Sequence, residues 1–242
     1  MMVLYLEGDR CSPKYVVAAL EGAAIQWRAP QRPPPEYAEY DAVILSDYPA
    51  STLGPRAAQA IAAAVHEGLG LLMVGGWSSF GRGGYARSPL AEVLPVEVED
   101  GDDRHASPSG CYPWKLEEHP ILGGLDWSRP PVLCGYNRLV PKPAAEVVLE
   151  AREAALTPEG PHVARRGAPL LVLGGHGQGR VVAFAGDLAP HWSGGLTDWG
   201  ESTVAGPEGE EVGSAYVALL AQMIRWAARP RPRVGQARVE RL

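Results

Sequence analysis

The sequence is poor in cysteine, and the few cysteines it has are widely spaced. Cys11, Cys111 and Cys134 are the only three in 242 residues, and no two of them form a C-x-x-C pair. An odd number of distant cysteines indicates neither a disulfide framework nor a zinc knuckle. We therefore expect a protein of a reducing, cytoplasmic setting, and no metal site built on cysteine.

Long apolar runs are also missing. No window approaches about 18 uninterrupted apolar residues, the length that a membrane-spanning helix needs. Residues 1–7 lack the basic segment and the apolar stretch that make up a signal peptide. The sequence therefore predicts a protein that neither spans a membrane nor is exported.

Positive charge is scarce. The chain carries 22 lysines and arginines against 28 aspartates and glutamates, so its formal net charge is −6, and no basic cluster occurs before the last few residues. Because nucleic-acid binding needs a basic surface, we expect no nucleic-acid partner, and an acidic partner is equally disfavoured. The hydrophobic fraction of 46% is enough for the core of one globular domain.

Apolar segments alternate with helical ones in the first half of the chain. Strands are predicted at residues 3–6, 24–27, 41–47 and 69–74, and helices at residues 13–20 and 55–67. Alternation at this spacing is typical of βαβ units, whose parallel strands are apolar throughout because helices cover both faces of the sheet. We predict a doubly wound α/β domain over residues 1–229.

The second half gives a different pattern. Residues 95–133 are predicted to be mostly irregular surface, with His105 solvated in a loop. Segments 169–173 and 180–185 flank a glycine-rich run and predict two antiparallel strands joined by a turn. His176 lies in that turn, where it is expected to be solvated.

Cofactor motifs are lacking, and the chain ends in a helix and a tail. The glycine run at residues 174–179 precedes a strand and lacks the spacing of a dinucleotide fingerprint, so no cofactor is predicted. A final amphipathic helix is predicted at residues 213–228. Residues 230–242 form a basic, proline-containing tail that we expect to be loose.

The predicted strands end in polar and glycine-rich segments. Ligands of open parallel sheets bind beyond the carboxyl ends of the strands. We therefore expect these segments to share one rim that binds a small polar ligand. The candidate ligand-binding residues are Glu7, Asp47, Gly75, Gly76, Trp77, Asp187, His191 and Trp192.

Several of these segments, taken in order, resemble a known superfamily. Residues 40–47, 70–81 and 179–192 look like the class I glutamine amidotransferase-like superfamily, and more narrowly its bacterial members of unknown function related to ThuA-like proteins. Residues 119–125 match the His-Pro-Ile-x-x-Gly-Leu element of those relatives. The resemblance spans roughly residues 1–229. It implies a flavodoxin-like three-layer sandwich with a mostly parallel central sheet and an added antiparallel C-terminal part.

The catalytic residues of this superfamily are missing from the sequence. Class I amidotransferases release ammonia from glutamine through a cysteine in a Gly-x-Cys-x-Gly turn, paired with a downstream His-x-Glu. Trp77 stands at the matching position of this sequence, and no His-x-Glu occurs in it. Because a thiolate is the nucleophile of that reaction, we expect the chain to lack glutaminase activity.

Two other chemistries stay open at the same segments. Gly76-Trp77-Ser78 begins like the Gly-x-Ser-x-Gly elbow of hydrolases, and Ser78 with His191 and Asp187 could form a triad. Phe80 stands where that elbow needs glycine, so Ser78 and Ser79 are more simply interpreted as caps that bond to the backbone.

A metal-bound water is the second alternative. Carboxylates and one imidazole, from Glu7, Asp9, Asp47, Asp187 and His191, could bind a cation, although carboxylates at strand ends also cap helices. The simpler capping role is the one we predict, with no metal. The sequence does not decide whether the protein is an enzyme.

A non-catalytic role in assembly is the third alternative. Trp192 and Trp199 bracket a glycine-rich loop that could cover the rim as a lid or contact another subunit, which would make the protein a homo-oligomer. The simpler interpretation is that both tryptophans anchor the loop to the domain.

Overall fold

The structure is a computed structural model that describes residues 1–8, 13–158 and 160–228, without the side chains of residues 156, 161, 190 and 191. Three predictions therefore concern parts outside the described residues: the tail at residues 230–242, the metal candidate Asp9, and the side chain of His191.

Most of the strands belong to one large mixed sheet. The strands are β1 (Met2–Glu7), β2 (Gln26–Arg28), β3 (Ala42–Ser46), β4 (Gly70–Val74), β5 (Val96–Glu97), β6 (Arg104–Lys115), β7 (Leu133–Asn137), β8 (Val140–Pro141), β9 (Glu146–Thr157), β10 (Gly160–Val163), β11 (Ala168–His176), β12 (Gly179–Phe184), β13 (Thr203–Ala205) and β14 (Glu211–Gly213). Ten of them form the sheet, in the order β2-β1-β3-β4-β12-β11-β9-β6-β7, and β10 pairs with β9. Two short pairs, β5 with β8 and β13 with β14, lie apart from it.

Six helices accompany the strands in the described part of the chain. They are α1 (Lys14–Gly22), α2 (Ala50–Leu53), α3 (Pro55–His66), α4 (Leu90–Val93), α5 (Pro190–Ser193) and α6 (Ser214–Ala227). Helix α6 packs on β4 and β12 and against α1, whereas α3 contacts β12 and α4. None of the described helices has the length and apolarity needed to cross a membrane.

The parallel half of the sheet agrees with the predicted α/β class. Strands β2, β1, β3, β4 and β12 run parallel to one another, and the antiparallel part of the sheet begins where β11 pairs with β12. Every residue of β3 and β4 is buried, as the unbroken apolar runs in the sequence indicate for central strands. The predicted helix at 55–67, the hairpin around Gly177 and the final helix are also confirmed.

The prediction of an irregular surface over residues 95–133 was wrong. Strand β6 runs for 12 residues and pairs with both β7 and β9. The sequence does not indicate this strand, because the register of its pairing with β7 shifts between Ala106 and Cys111. The residues in between include serine, proline and glycine, and they break the period-two pattern of a strand. Strand β2 begins later than predicted, because Ala24 has a φ of 54° and Ile25 N–H still bonds to Leu20 of α1.

Two histidines expected in solvated loops lie instead on strands. His105 belongs to β6, where its ring lies 4.8 Å from that of Tyr136 and its Nε2 lies 3.1 Å from Glu153 Oε1. His176 ends β11, and its ring centre lies 5.7 Å from that of His66 at the end of α3. Both predictions failed because the strands extend further than their apolar cores suggest.

Candidate functional site

The carboxyl ends of four parallel strands lie side by side. Glu7 pairs with Ser46, Ser46 pairs with Val74, and Phe184 also pairs with Val74. The residues that follow these positions therefore emerge at one edge of the sheet. This edge, called the rim below, brings together Glu7, Asp47, the Gly75-Gly76-Trp77 turn and Asp187.

Asp47 lies at the centre of the rim. It is 1% exposed and has a φ of 46°, a backbone conformation that is uncommon for residues other than glycine. Its Oδ1 accepts a hydrogen bond from the Ser78 N–H. A Cβ added to Gly76, which has a φ of 138°, would lie 3.0 Å from the same oxygen. The close approach of the carboxylate to the turn therefore depends on glycine at position 76.

Glu7 and Asp187 are acids whose pKa values are raised into the neutral range. Burial raises the pKa of Glu7 to about 8, although the hydrogen bond that the Tyr5 hydroxyl donates to it partly lowers it. Burial likewise raises the pKa of Asp187 to about 7, against the hydrogen bond that Ala189 N–H donates to its Oδ1 at 2.9 Å. The negative charge of Asp47 raises the pKa of both groups further.

Removing the charge of Asp47 should therefore be visible at its neighbour. In Asp47→Asn the amide oxygen still accepts from Ser78 N–H, but the like charge is gone, so we expect the pKa of Asp187 to fall by about 0.5–1 pH unit. Carboxyl-carbon NMR titration measures this directly. Glu118→Gln, which changes an 87% exposed side chain, is the control and should leave that pKa unchanged. An unchanged Asp187 pKa in Asp47→Asn would show that the two carboxyl groups do not interact.

Asn137 holds the Gly75-Gly76-Trp77 turn from the other side, and the sequence analysis missed it. It is fully buried, accepts a hydrogen bond from Gly76 N–H on Oδ1 at 2.9 Å, and donates from Nδ2 to Asp103 Oδ1 at 3.1 Å. Asp103 in turn accepts from Gly81 N–H at 2.9 Å. One signal was available, because Asn137 is the only asparagine in the 242 residues.

Trp77 lies at the surface of the rim, with 46% of its side chain exposed. The Arg104 guanidinium lies 4.2 Å from its ring centre, a cation–π contact, and is held there by two hydrogen bonds to Asp102. The Trp192 ring lies 6.2 Å away on β7's side of the turn and is only 7% exposed. Arg104 is a second rim residue that the sequence analysis did not select.

Both tryptophans of the glycine-rich loop are anchors. Trp192 packs so closely on β7 that a Cβ at Gly135 would lie 2.8 Å from its ring. Trp199 is 8% exposed, donates from Nε1 to Arg129 O at 3.0 Å and lies 5.0 Å from the Trp127 ring. The burial and contacts of both tryptophans therefore agree with the simpler interpretation, in which they anchor the loop to the domain.

The serines after Trp77 serve the turn itself. Ser79 donates from Oγ to Val74 O at 2.6 Å, a side-chain-to-backbone bond of the expected kind. Ser78 lines a cavity of about 490 Å³ beside Arg82, and its hydroxyl has no hydrogen bond to another described residue. In a nucleophile elbow, the N–H after the nucleophile stabilises the oxyanion. Trp77 stands at the nucleophile position of the family's turn, so the corresponding N–H is that of Ser78. Asp47 Oδ1 already accepts the hydrogen bond of this N–H.

A metal alternative depends on residues beyond the described ranges. Among residues 1–8, 13–158 and 160–228, no group of three or more histidine, cysteine, aspartate or glutamate side chains is arranged to hold a metal ion. Asp9 and the His191 imidazole, which would complete such a set around Glu7, Asp47 and Asp187, lie outside the description.

Comparison with known proteins adds the relatives of this fold. A family model described as putative glutamine amidotransferase matches residues 13–204. Two solved cytoplasmic proteins from Salmonella typhimurium are 25% and 28% identical to the chain, each with a TM-score of 0.76, over 95% of this chain and 100% of theirs. A putative ThuA-like protein from Parabacteroides merdae shares the fold at 13% identity, with a TM-score of 0.56 over 94% of this chain and 90% of its own. No curated protein matches the sequence.

Proposed function

The chain belongs to the family described as putative glutamine amidotransferases, and from that premise we propose that it is a member without glutaminase chemistry that binds a small polar ligand at the rim. The family residues that would carry ammonia release have no counterpart here, since Trp77 replaces the nucleophile and Asp47 accepts the Ser78 N–H. What remains at the rim is a set of hydrogen-bonding groups.

One observation carries this proposal: two buried carboxyl groups, Asp47 and Asp187, and the partly buried Glu7 lie at one rim together with the half-exposed indole of Trp77. Placing acids away from water costs free energy unless they are neutralised or bound, and such groups cluster at functional sites. Within the described part of the chain, no basic side chain is among the causes that shift the pKa of Glu7 or Asp187. Glu7 Oε1 is buried without a hydrogen-bond partner among the described residues.

The protonation states define the chemistry of the ligand. At neutral pH a protonated Glu7 or Asp187 donates a hydrogen bond, whereas the Asp47 carboxylate accepts. A ligand that matches them both accepts and donates, as neutral polyols and amides do, and its apolar side would lie on Trp77. A dianionic ligand would not match, because it would meet the charge of Asp47.

Binding of neutral polar molecules tests the proposal. We expect ligand-observed NMR with a panel of polyols, sugars and carboxamides to identify binding with a Kd below about 1 mM. Glu7→Gln and Asp187→Asn should each weaken that binding about 10-fold, because an amide replaces the acid proton with a different donor geometry. The exposed variant Glu118→Gln is the matched control and should bind like the wild type.

Two results would contradict the proposal. Equal affinity in the wild type, Glu7→Gln and Asp187→Asn would place the ligand elsewhere. Ammonia release from glutamine above the buffer blank would mean that another group replaces the missing cysteine.

The same proposal includes the type of α/β fold and the cellular location of the protein. The parallel order β2-β1-β3-β4 supports a flavodoxin-like three-layer arrangement for the first half of the chain. The two Salmonella relatives, described as cytoplasmic, support a cytoplasmic location. The homo-oligomer and the lack of a nucleic-acid partner stay predictions of the sequence.

A further inference from the structure

A separate cavity of about 610 Å³ opens beside the start of α3, on the side of the 31–35 segment. Such a volume lies within the range of small-molecule sites. Most of its wall is apolar or aromatic. The residues that form this part of the wall are Pro33, Pro34, Pro35, Tyr48, Leu53, Pro55, Ala57 and Ala60.

The charged residues of this cavity all have the same sign. Arg32 and Arg56 line it, and no aspartate or glutamate does. Both arginines are exposed, and neither forms an ion pair with another described residue. In a chain with a net charge of −6, two unpaired arginines at one apolar cavity form a local positive site.

The helix that begins there adds to the positive potential. Gly54 precedes α3 and has no side chain that could cap it, and the first turn of α3 contains no acidic residue. The amino end of a helix carries a partial positive charge, which a nearby cation makes less favourable. Arg56 is the second residue of α3, so the protein itself leaves this charge uncompensated.

We propose that this cavity binds a small organic anion with a flat apolar body, of the class of aromatic carboxylates. The ring would lie against the prolines at positions 33–35 and against Tyr48, and the anionic group would lie near Arg32, Arg56 and the start of α3. This site is separate from the rim, and the inference does not depend on the function proposed there.

A matched pair of probes tests the charge requirement. By isothermal titration calorimetry on the full chain, we expect 2-naphthoate to bind with a Kd below about 1 mM and 2-naphthylmethanol, its neutral counterpart, to bind at least about 10-fold more weakly. Arg32→Gln and Arg56→Gln should each weaken naphthoate binding about 5-fold, and about 20-fold together, because both charges are exposed to solvent.

Controls separate this site from non-specific attraction. Arg165→Gln removes an exposed arginine without a described ion pair on a distant loop, and it should leave the affinity unchanged. Ala60→Leu fills the cavity and should weaken both probes, while thermal melting confirms that the variant is folded. The proposal is overturned if naphthoate does not bind at about 5 mM, if both probes bind alike, or if Arg165→Gln has the effect expected of Arg56→Gln.

Discussion

Replacing Asn137 with alanine should lower the free energy of unfolding by about 3 kcal/mol. The substitution removes the acceptor of Gly76 N–H and the Nδ2 donor to Asp103, at a position with no solvent exposure. A buried polar group left without its partner costs about 1–3 kcal/mol, and here two groups lose one each. Urea denaturation followed by circular dichroism measures the loss.

Gln222→Ala is the matched control for the Asn137 substitution. Gln222 also donates an amide hydrogen bond to the backbone, to Gly123 O at 2.9 Å, but this bond is exposed. Its loss should cost less than about 1 kcal/mol, because water replaces the partner. If the two variants differ by less than about 0.5 kcal/mol, Asn137 does not hold the turn in the way described.

The second large effect is a loss of stability as the pH rises. Burial raises the pKa of Glu7 to about 8 and that of Asp187 to about 7 in the folded protein, above the 4.5 and 3.8 of the same side chains in an unfolded chain. An acid whose pKa is higher in the folded than in the unfolded state binds its proton more tightly in the folded state. Its contribution to the free energy of unfolding is therefore complete below the unfolded pKa and is lost as the pH rises through the folded pKa. With about 1.4 kcal/mol for each pH unit of difference, Glu7 contributes about 4 kcal/mol and Asp187 about 3 kcal/mol between about pH 4.5 and pH 8.5, so we expect the free energy of unfolding to fall by about 7 kcal/mol over that range.

Amide substitutions should flatten this dependence. Glu7→Gln and Asp187→Asn cannot ionise, so each should reduce the slope, and the double variant should be more stable than the wild type at about pH 8.5. Glu118→Gln should leave the slope as it is. A wild-type stability that stays constant or rises between about pH 5 and pH 8 would show that the two acids are ionised in the folded protein.

The parallel half of the fold could be predicted because the residue types in each of its segments match the burial and the local conformation of that segment. Strands β3 and β4 are unbroken apolar runs, and α3 begins at a proline and ends before a glycine, so burial and local propensity agree. The antiparallel half could not. Strand β9 contains glutamate, alanine and arginine in a pattern that favours a helix, and only its pairing with β6 and β11 makes it a strand.

The rim likewise contains residues that the sequence predicts and residues that it does not. Strand-end positions identify Glu7, Asp47 and Asp187, because the topology of a parallel sheet brings them to one edge. Asn137 and Arg104 reach that edge from strands that the sequence does not reveal, so no local pattern could select them. The raised pKa values of Glu7 and Asp187 come from burial, which depends on the packed structure rather than on neighbours in the chain.

The position of β12 also has a consequence for biosynthesis. Val181 of β12 pairs with Leu71 of β4, 110 positions earlier in the chain. Until the ribosome has released residues 179–184, β4 has one open edge with an entirely apolar sequence, which is the kind of surface that recruits strands from other chains. We therefore expect a chain truncated before residue 179 to aggregate through the open edge of β4 instead of folding as a smaller domain.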